Sequence, residues 1–297
     1  MERRSFGRML ELLIEGRARG VGSFTVSRLL PVAKRRTIGP FIFLDHMGPV
    51  QIAPDAGFDV LPHPHVGLST FTYFLAGINV HRDSIGTVQI NRPGDVNVMT
   101  AGRGVVHSER AEPAWRVTGG QMHGVQIWLA LPEVNEDDAP SFDHVPRERL
   151  PAIAPSTGVR GHVLAGTAYG ASSPLRHPSS PMLVDVELDA GARIELPAAD
   201  ELGVFVISGA VRIGDAPVAA NQLGVLAAVR PAVTAAVPSR IFVLGGPPIG
   251  TRFIDWNFVA SSKARIDQAR DDWKARRFPD IPTDHDEFVP YPDLHHP

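Results

Sequence analysis

Glycine and proline interrupt this chain throughout its length, 28 and 27 of them, and that punctuation leaves little room for helices. Proline removes a backbone donor and fixes φ, and glycine weakens any helix interior. Between these breakers lie short apolar runs: Ser23–Leu30, Pro40–Leu44, Ser69–Leu75, Val105–His107 and Val125–Leu131. Many are rich in Val, Phe, Ile and Thr. Regular short strands with turn punctuation predict an all-β barrel or sandwich. Helix periodicity is nearly absent before residue 260. Beyond it, Ser261 or Ser262 can cap a helix over 262–276, in which Ile266, Ala269 and Trp273 fall at i, i+3 and i+7. Pro279 closes that segment. Residues 283–297 read as an extended tail, with His295 and His296 solvated.

A weak internal repeat organises the strands. Phe71-Thr72-Tyr73-Phe74-Leu75-Ala76-Gly77 matches Gly203-Val204-Phe205-Val206-Ile207-Ser208-Gly209 in alternation and in its final glycine. A second glycine follows each copy, Gly94 in the first and Gly224 in the second. Two copies of one barrel are the natural reading. A length of 297 residues suits two domains of roughly 100–200 residues, and 43 % hydrophobic content can fill two cores. The segment Pro132–Pro155 is polar and proline-rich, with Glu133, Glu136, Asp137 and Asp138. The predicted partition is a metal-binding barrel over 1–135, a linker over 136–160, a second barrel over 161–250, and a short helix with its tail over 251–297.

Composition removes several function classes. There is no cysteine, which excludes disulfides, thiolate metal sites, iron–sulfur clusters and thiol nucleophiles. A net charge of -3 gives no basic face for nucleic acid or an anionic membrane. No apolar run approaches the roughly 18 residues of a membrane span. The N-terminal apolar stretch, Met9 to Ile14, is broken by Glu11 and is too short for a signal-peptide core. The expectation is a soluble, cytoplasmic protein.

The chemistry concentrates in two pairs. Leu61-Pro62-His63-Pro64-His65 places two histidines two residues apart, and His107-Ser108-Glu109 repeats that spacing. On a strand, residues i and i+2 share one face, about 6–7 Å apart. Pro64 has no N–H, so its strand is bulged, at an edge or at a strand start. With 12 histidines, chance alone supplies about half an HxH per chain. The ordered set is far more specific: HxH, Gly77, the turn Pro93-Gly94-Asp95, then HxE. His63, His65, His107 and Glu109 are therefore predicted to hold one divalent transition metal per chain. Such ligands suit Fe, Ni, Cu, Co, Mn or Zn without choosing among them. Open coordination positions would mean catalysis or redox sensing rather than a closed structural site. Shifting His63 and His65 by the 132-residue offset between Gly77 and Gly209 lands on Glu195 and Pro197, and the counterpart of His107 lies near Val237. The second barrel is expected to lack ligands.

The remaining candidates read as structural. His81, in His81-Arg82-Asp83-Ser84, suits hydrogen bonding at a barrel mouth better than ligation. His46 can pair with Asp45 at a turn. His123 fits a core or a pocket position equally well. Glu112 reads as solvated, and Asp95 as the cap of its own turn.

The chain resembles the pirin family of bicupins, bacterial members closely. The resemblance rests on Gly39-Pro40-Phe41-Ile42-Phe43-Leu44-Asp45-His46, His63-Pro64-His65, His81-Arg82-Asp83-Ser84, and above all Met99-Thr100-Ala101-Gly102-Arg103-Gly104-Val105-Val106-His107-Ser108-Glu109. Asn257–Lys263 and Phe278-Pro279 also match. The motifs are dense from about 22 to 132 and sparse from 140 to 250. The resemblance implies two tandem cupin (jelly-roll-type) barrels, with a metal, usually iron, on the residues matching His63, His65, His107 and Glu109, and a metal-free second barrel. One departure stands out: many family members carry a glutamate four residues after the second histidine, where this chain has Ser69. The carboxylate role would then fall to Glu109.

The resemblance also implies an activity like that of quercetin 2,3-dioxygenases, which open a flavonol heterocycle with dioxygen. A metal can bind the flavonol 3-hydroxylate, and Glu109 can take the proton. Phe41, Phe43, Phe71 or Trp128 can stack on planar rings, or serve the core. The alternative implied by the family is a metal- or redox-dependent regulator that binds a transcription factor or a metabolic enzyme. In that case the partner is a protein.

Overall fold

The computed structural model describes residues 9–22, 24–227 and 231–292, so His295 and His296 lie outside the described residues. The chain is built mostly of short antiparallel strands. It carries two α-helices among the described residues, Pro113–Thr118 and Lys263–Lys274. It divides into two compact units, one of residues 1–18, 27–46 and 145–248, the other of residues 19–26, 47–144 and 249–297. The two tandem barrels expected from the repeat are thus present, but their termini are grouped in space rather than in linear order. The strand Leu10–Glu15 pairs with Gln222–Leu226 in the second barrel, and the C-terminal helix belongs with the first.

In the second barrel, a long sheet and a shorter one enclose the core. Met182–Leu188, Glu201–Ser208 and Ser239–Gly246 lie side by side in the long sheet, and Arg193–Glu195, Ala232–Ala235 and Ala210–Ile213 in the short one. Strand alternation sends Val184, Val186, Val204, Val206 and Val243 from one sheet, and Ile194, Val211 and Val233 from the other, into a single apolar cluster. Its repeat strand therefore serves packing. Glu195, the position matching His63, is exposed.

The first barrel sets a four-stranded sheet, ordered Val60–His65, Val105–Ala111, Asn79–Asp83 and Val88–Asn91, apart from a larger sheet. That larger sheet contains Ser141–Val145, Val96–Thr100, Leu68–Ala76 and Gly120–Ala130 in that order. Val60–His65 is the edge strand of the small sheet, which is where a strand containing Pro64 can be tolerated.

The helix Lys263–Lys274 starts where its capping chemistry allows. Ser262 is the cap, its hydroxyl accepting from Arg265 N at 3.3 Å. Ser261 instead donates its N–H (3.0 Å) and its hydroxyl (2.8 Å) to the buried Glu136. Ile266, Ala269 and Trp273 are buried as the spacing predicts. They pack with Phe258 and Ile281 onto Val66 and Val106, the neighbours of two site histidines. The indole N–H of Trp273 donates to Val289 O at 3.1 Å. Trp273→Ala is expected to cost about 3–5 kcal/mol of folding stability, as truncation of a large buried aromatic does. Urea unfolding would measure it, and a change below about 1 kcal/mol would show that this cluster relaxes around the cavity.

The segment after the helix straps the same strands from outside. Asp284 accepts from the Ser108 hydroxyl (2.7 Å) and from both arms of the Arg110 guanidinium (2.9 and 2.8 Å). Val289 N donates to Pro62 O at 2.8 Å. Two further expectations are corrected here. Glu112 is not merely solvated: its carboxylate accepts from Trp115 N at 2.8 Å and caps the short helix Pro113–Thr118. His46 lies edge-on to Phe205 with ring centroids 5.2 Å apart, a packing position in the second barrel's unit.

Candidate metal centre

The edge strand and its neighbour bring the two sequence pairs together. His107 sits directly opposite His63, and Val105 opposite His65. A bulge follows, so that Glu109 falls opposite Val60 and, on the other side, opposite His81. Imidazoles at His63, His65 and His107 converge as a result. Their ring centroids are 4.3 Å apart for His63 and His107, and 5.0 Å for the other two pairs. One nitrogen from each ring lies within 4.8 Å of the others, and all three residues are buried. This is the group among the described residues that can hold a metal ion. No described residue of the second barrel belongs to it.

Each ring is tethered through its Nδ1. His63 Nδ1 meets Leu61 O at 2.8 Å, and His65 Nδ1 meets Asn257 O at 3.2 Å. A backbone carbonyl can only accept, so both Nδ1 atoms carry hydrogen and both Nε2 atoms are left as lone pairs. His107 Nδ1 lies 3.3 Å from His81 Nδ1. The Nε2 atom of His107 is buried and has no hydrogen-bond partner. An orphaned buried polar atom is costly, and three converging buried imidazoles match the donor set of a divalent transition metal. The residues fit a metal.

Their electrostatics agree. Burial drives the His63 pKa down to about 4, only partly offset by the Leu61 carbonyl. Burial, and then the neighbouring imidazoles, hold His65 and His107 well below the ordinary histidine value. All three rings are neutral near pH 7, the form that ligates.

Glu109 behaves differently. It is half-buried and does not belong to the group of three. Burial pushes its carboxyl up to about 7, opposed by a hydrogen bond from the Thr72 hydroxyl. Ser69, where the family often has a glutamate, is buried with its hydroxyl 2.8 Å from that of Thr100. Of the aromatic candidates, Trp128 reaches a site histidine, its ring 5.2 Å from His65 and nearly perpendicular to it. Phe71 is buried in the core, Phe41 is buried, and Phe43 lies under the Arg28 guanidinium at 4.3 Å.

The sequence reading assigned His81 to hydrogen bonding, and the structure gives it two partners. Its Nε2 is 3.0 Å from Asp83 Oδ2, besides the contact with His107. Asp83 Oδ1 accepts the backbone N–H groups of Ile85 (3.1 Å) and Thr87 (2.9 Å). Burial opposes the charge on Asp83, but the hydrogen bonds from His81 and Thr87 outweigh it and hold the carboxyl below its usual range. The role of Asn257 in fixing His65 had no local signal, because a backbone carbonyl 192 residues away supplies it.

Comparison with known proteins follows the same lines. The Pirin family matches residues 23–129, and the Pirin C-terminal cupin domain matches residues 183–279. A pirin-like protein of Caulobacter vibrioides is 43 % identical over 294 residues, covering 96 % of this chain and 100 % of that protein. A Pseudomonas aeruginosa protein, provisionally named a quercetin 2,3-dioxygenase, is 40 % identical over 258 residues, covering 85 % of this chain and 80 % of its own. The crystal structure of quercetin 2,3-dioxygenase from Acinetobacter baumannii superimposes with a TM-score of 0.88 at 32 % identity, covering 95 % of each chain.

Proposed function

We propose that this chain, which belongs to the pirin family of two-barrel cupin proteins, is a metal-dependent dioxygenase of the quercetin 2,3-dioxygenase type that opens a flavonol-like ring with dioxygen. The observation that carries the reading is the orphaned Nε2 of His107 among three buried, neutral imidazoles. The substrate class is supported by the likeness to a quercetin 2,3-dioxygenase at 32 % identity.

In this reading His63, His65, His107 and Glu109 hold one divalent transition metal, with iron as the expected occupant. Bound there, the ion supplies a Lewis-acidic, redox-capable centre that acidifies a flavonol 3-hydroxyl. The protein's own part is to position and to move one proton. The tethered imidazoles stay neutral and fixed. Burial raises the Glu109 carboxyl to about 7 in the metal-free chain; with the ion in place its ionised carboxylate would accept the hydroxyl proton. Trp128, at the edge of His65, offers an apolar surface to a planar substrate.

The direct test is loss of flavonol absorbance under air. The metal-stripped protein would be reloaded separately with Fe(II), Ni(II), Mn(II), Co(II), Cu(II) and Zn(II), with bound metal assayed in each case. Turnover that requires both metal and air is expected. No turnover with any of the six would sink the dioxygenase reading and leave the protein-binding regulator in its place.

Metal uptake carries a pH prediction. A carboxyl must lose its proton before it can ligate. Because the folded pKa of Glu109 is raised to about 7, its ionised form is scarce below that pH. The imidazoles have lowered values and remain neutral. Apparent metal affinity is therefore expected to fall about tenfold per unit as pH drops from about 7 towards 5, and to stay level across that range in Glu109→Gln. A level wild-type profile would remove Glu109 from the ligand set.

A further inference from the structure

We propose that Asp83 and His81 form a relay that fixes His107 in the tautomer whose Nε2 carries a lone pair, which makes both of them positioning residues for the metal centre. This rests on the reading that the three imidazoles hold a metal. It gives a role to the His81-Arg82-Asp83 stretch, which neither ligation nor proton transfer uses.

The geometry is a short chain of buried groups. Asp83 Oδ2, His81 Nε2, His81 Nδ1 and His107 Nδ1 follow one another with contacts of 3.0 and 3.3 Å. His81 and Asp83 lie two residues apart on the strand Asn79–Asp83, so they share a face. That strand pairs with Val105–Ala111, with Asp83 opposite His107. All three residues are buried, and the ring of Phe142 lies 4.6 Å from that of His81, so the chain is shut off on that side.

Two settings of the hydrogens are open to such a chain. In one, His81 Nε2–H donates to the Asp83 carboxylate. Its Nδ1 then accepts the Nδ1–H of His107, and His107 Nε2 is a lone pair. In the other, His81 Nδ1–H donates to His107 Nδ1, and His107 carries its hydrogen on Nε2, where it blocks ligation. The second setting either places a bare His81 Nε2 against a carboxylate oxygen or requires an extra proton on His81. An ionised Asp83 therefore selects the first. His63 and His65 have their tautomers set by backbone carbonyls. His107 meets another imidazole, which is indifferent until Asp83 orients it.

Asp83→Asn is a sharp probe because the site dictates how the amide must lie. Oδ1 of Asp83 already accepts from Ile85 N and Thr87 N. The amide oxygen of asparagine must stay there, since an NH2 group would meet two donors. The NH2 then faces His81 Nε2, which becomes an acceptor. His81 Nδ1 becomes the donor, and His107 is forced into the Nε2–H form, much as an Asp-to-Asn change sets the wrong tautomer in a catalytic triad.

The test uses the full-length, metal-stripped, 15N-labelled protein, with long-range 1H–15N correlation of the imidazoles at one fixed pH. The wild type is expected to show His107 protonated on Nδ1 and bare on Nε2. Asp83→Asn is expected to show the reverse, and to lower Zn(II) affinity about 10–100-fold, the usual effect of losing a partner behind a ligand, with its circular dichroism unchanged. His107 carrying its hydrogen on Nε2 in the wild type would overturn the relay. So would an Asp83→Asn protein that binds Zn(II) as tightly as the wild type. If Asp83→Asn fails to fold, the wild-type spectrum decides alone. If the wild type takes up no Zn(II) or other divalent ion, the metal reading fails, while the same spectrum still shows whether the relay exists.

Discussion

Glu109→Gln is expected to retain most of the bound metal and to lose at least ~100-fold in flavonol turnover per bound ion, the lower end of what a general base contributes. Glutamine preserves the size of the side chain and an oxygen able to accept the Thr72 hydrogen bond. It cannot accept a proton. Burial raises the wild-type carboxyl to about 7 in the metal-free chain; a bound cation favours its ionised form, which is the form that takes the hydroxyl proton. Metal content must be measured beside the rate, because an amide oxygen is a poorer ligand than a carboxylate. Unchanged activity per ion would leave Glu109 no more than a ligand or a neighbour. The base would then lie elsewhere, and His123 would be the next residue to examine, since His46 is packed against Phe205.

His63→Ala and His107→Ala are each expected to take metal content from about one ion per chain to none while the barrels stay folded. In the proposed four-ligand set, loss of one imidazole leaves two imidazoles and a carboxylate, an incomplete set for a divalent transition metal. The fold should survive because neither ring belongs to the apolar clusters that hold the barrels. Glu195→Ala, at the matching place in the second barrel, should leave metal content untouched. Two ions in the wild type, or metal retained by both histidine variants, would show that a second site exists.

The strands and the three histidines were legible because both depend on local spacing. Period-2 alternation around Phe71–Gly77 and Gly203–Gly209 marked two equivalent strands, and HxH with HxE placed His63, His65 and His107 on inward faces. Even Pro64 reported its edge position. What local spacing does not carry is register across strands. The register shift between His107 and Glu109 sets Glu109 opposite Val60, and no periodicity foretells it. Asp83 comes opposite His107 only once the strands pair, so the His81-Arg82-Asp83 stretch shows in the sequence, but its contact with His107 does not. The spatial grouping of the termini was hidden for the same reason. Leu10–Glu15 joins the second barrel through pairing with residues more than two hundred positions away, and the helix after 260 settles on Val66 and Val106, beside the ligands rather than beyond a second domain.

The tethering of all three rings through Nδ1 has a thermodynamic consequence for the ion. A flexible histidine that becomes immobilised on binding gives up about 0.5–1.5 kcal/mol of side-chain freedom, and three of them would weaken a site by about one to three orders of magnitude. Here that ordering is already complete in the folded chain, through Leu61 O, Asn257 O and His81. The cost falls on folding, together with the desolvation of three neutral rings, and affinity is correspondingly spared. An ion bound there would find its three imidazoles already in place, so the barrel would act as a rigid mould that neither binding nor release has to rebuild.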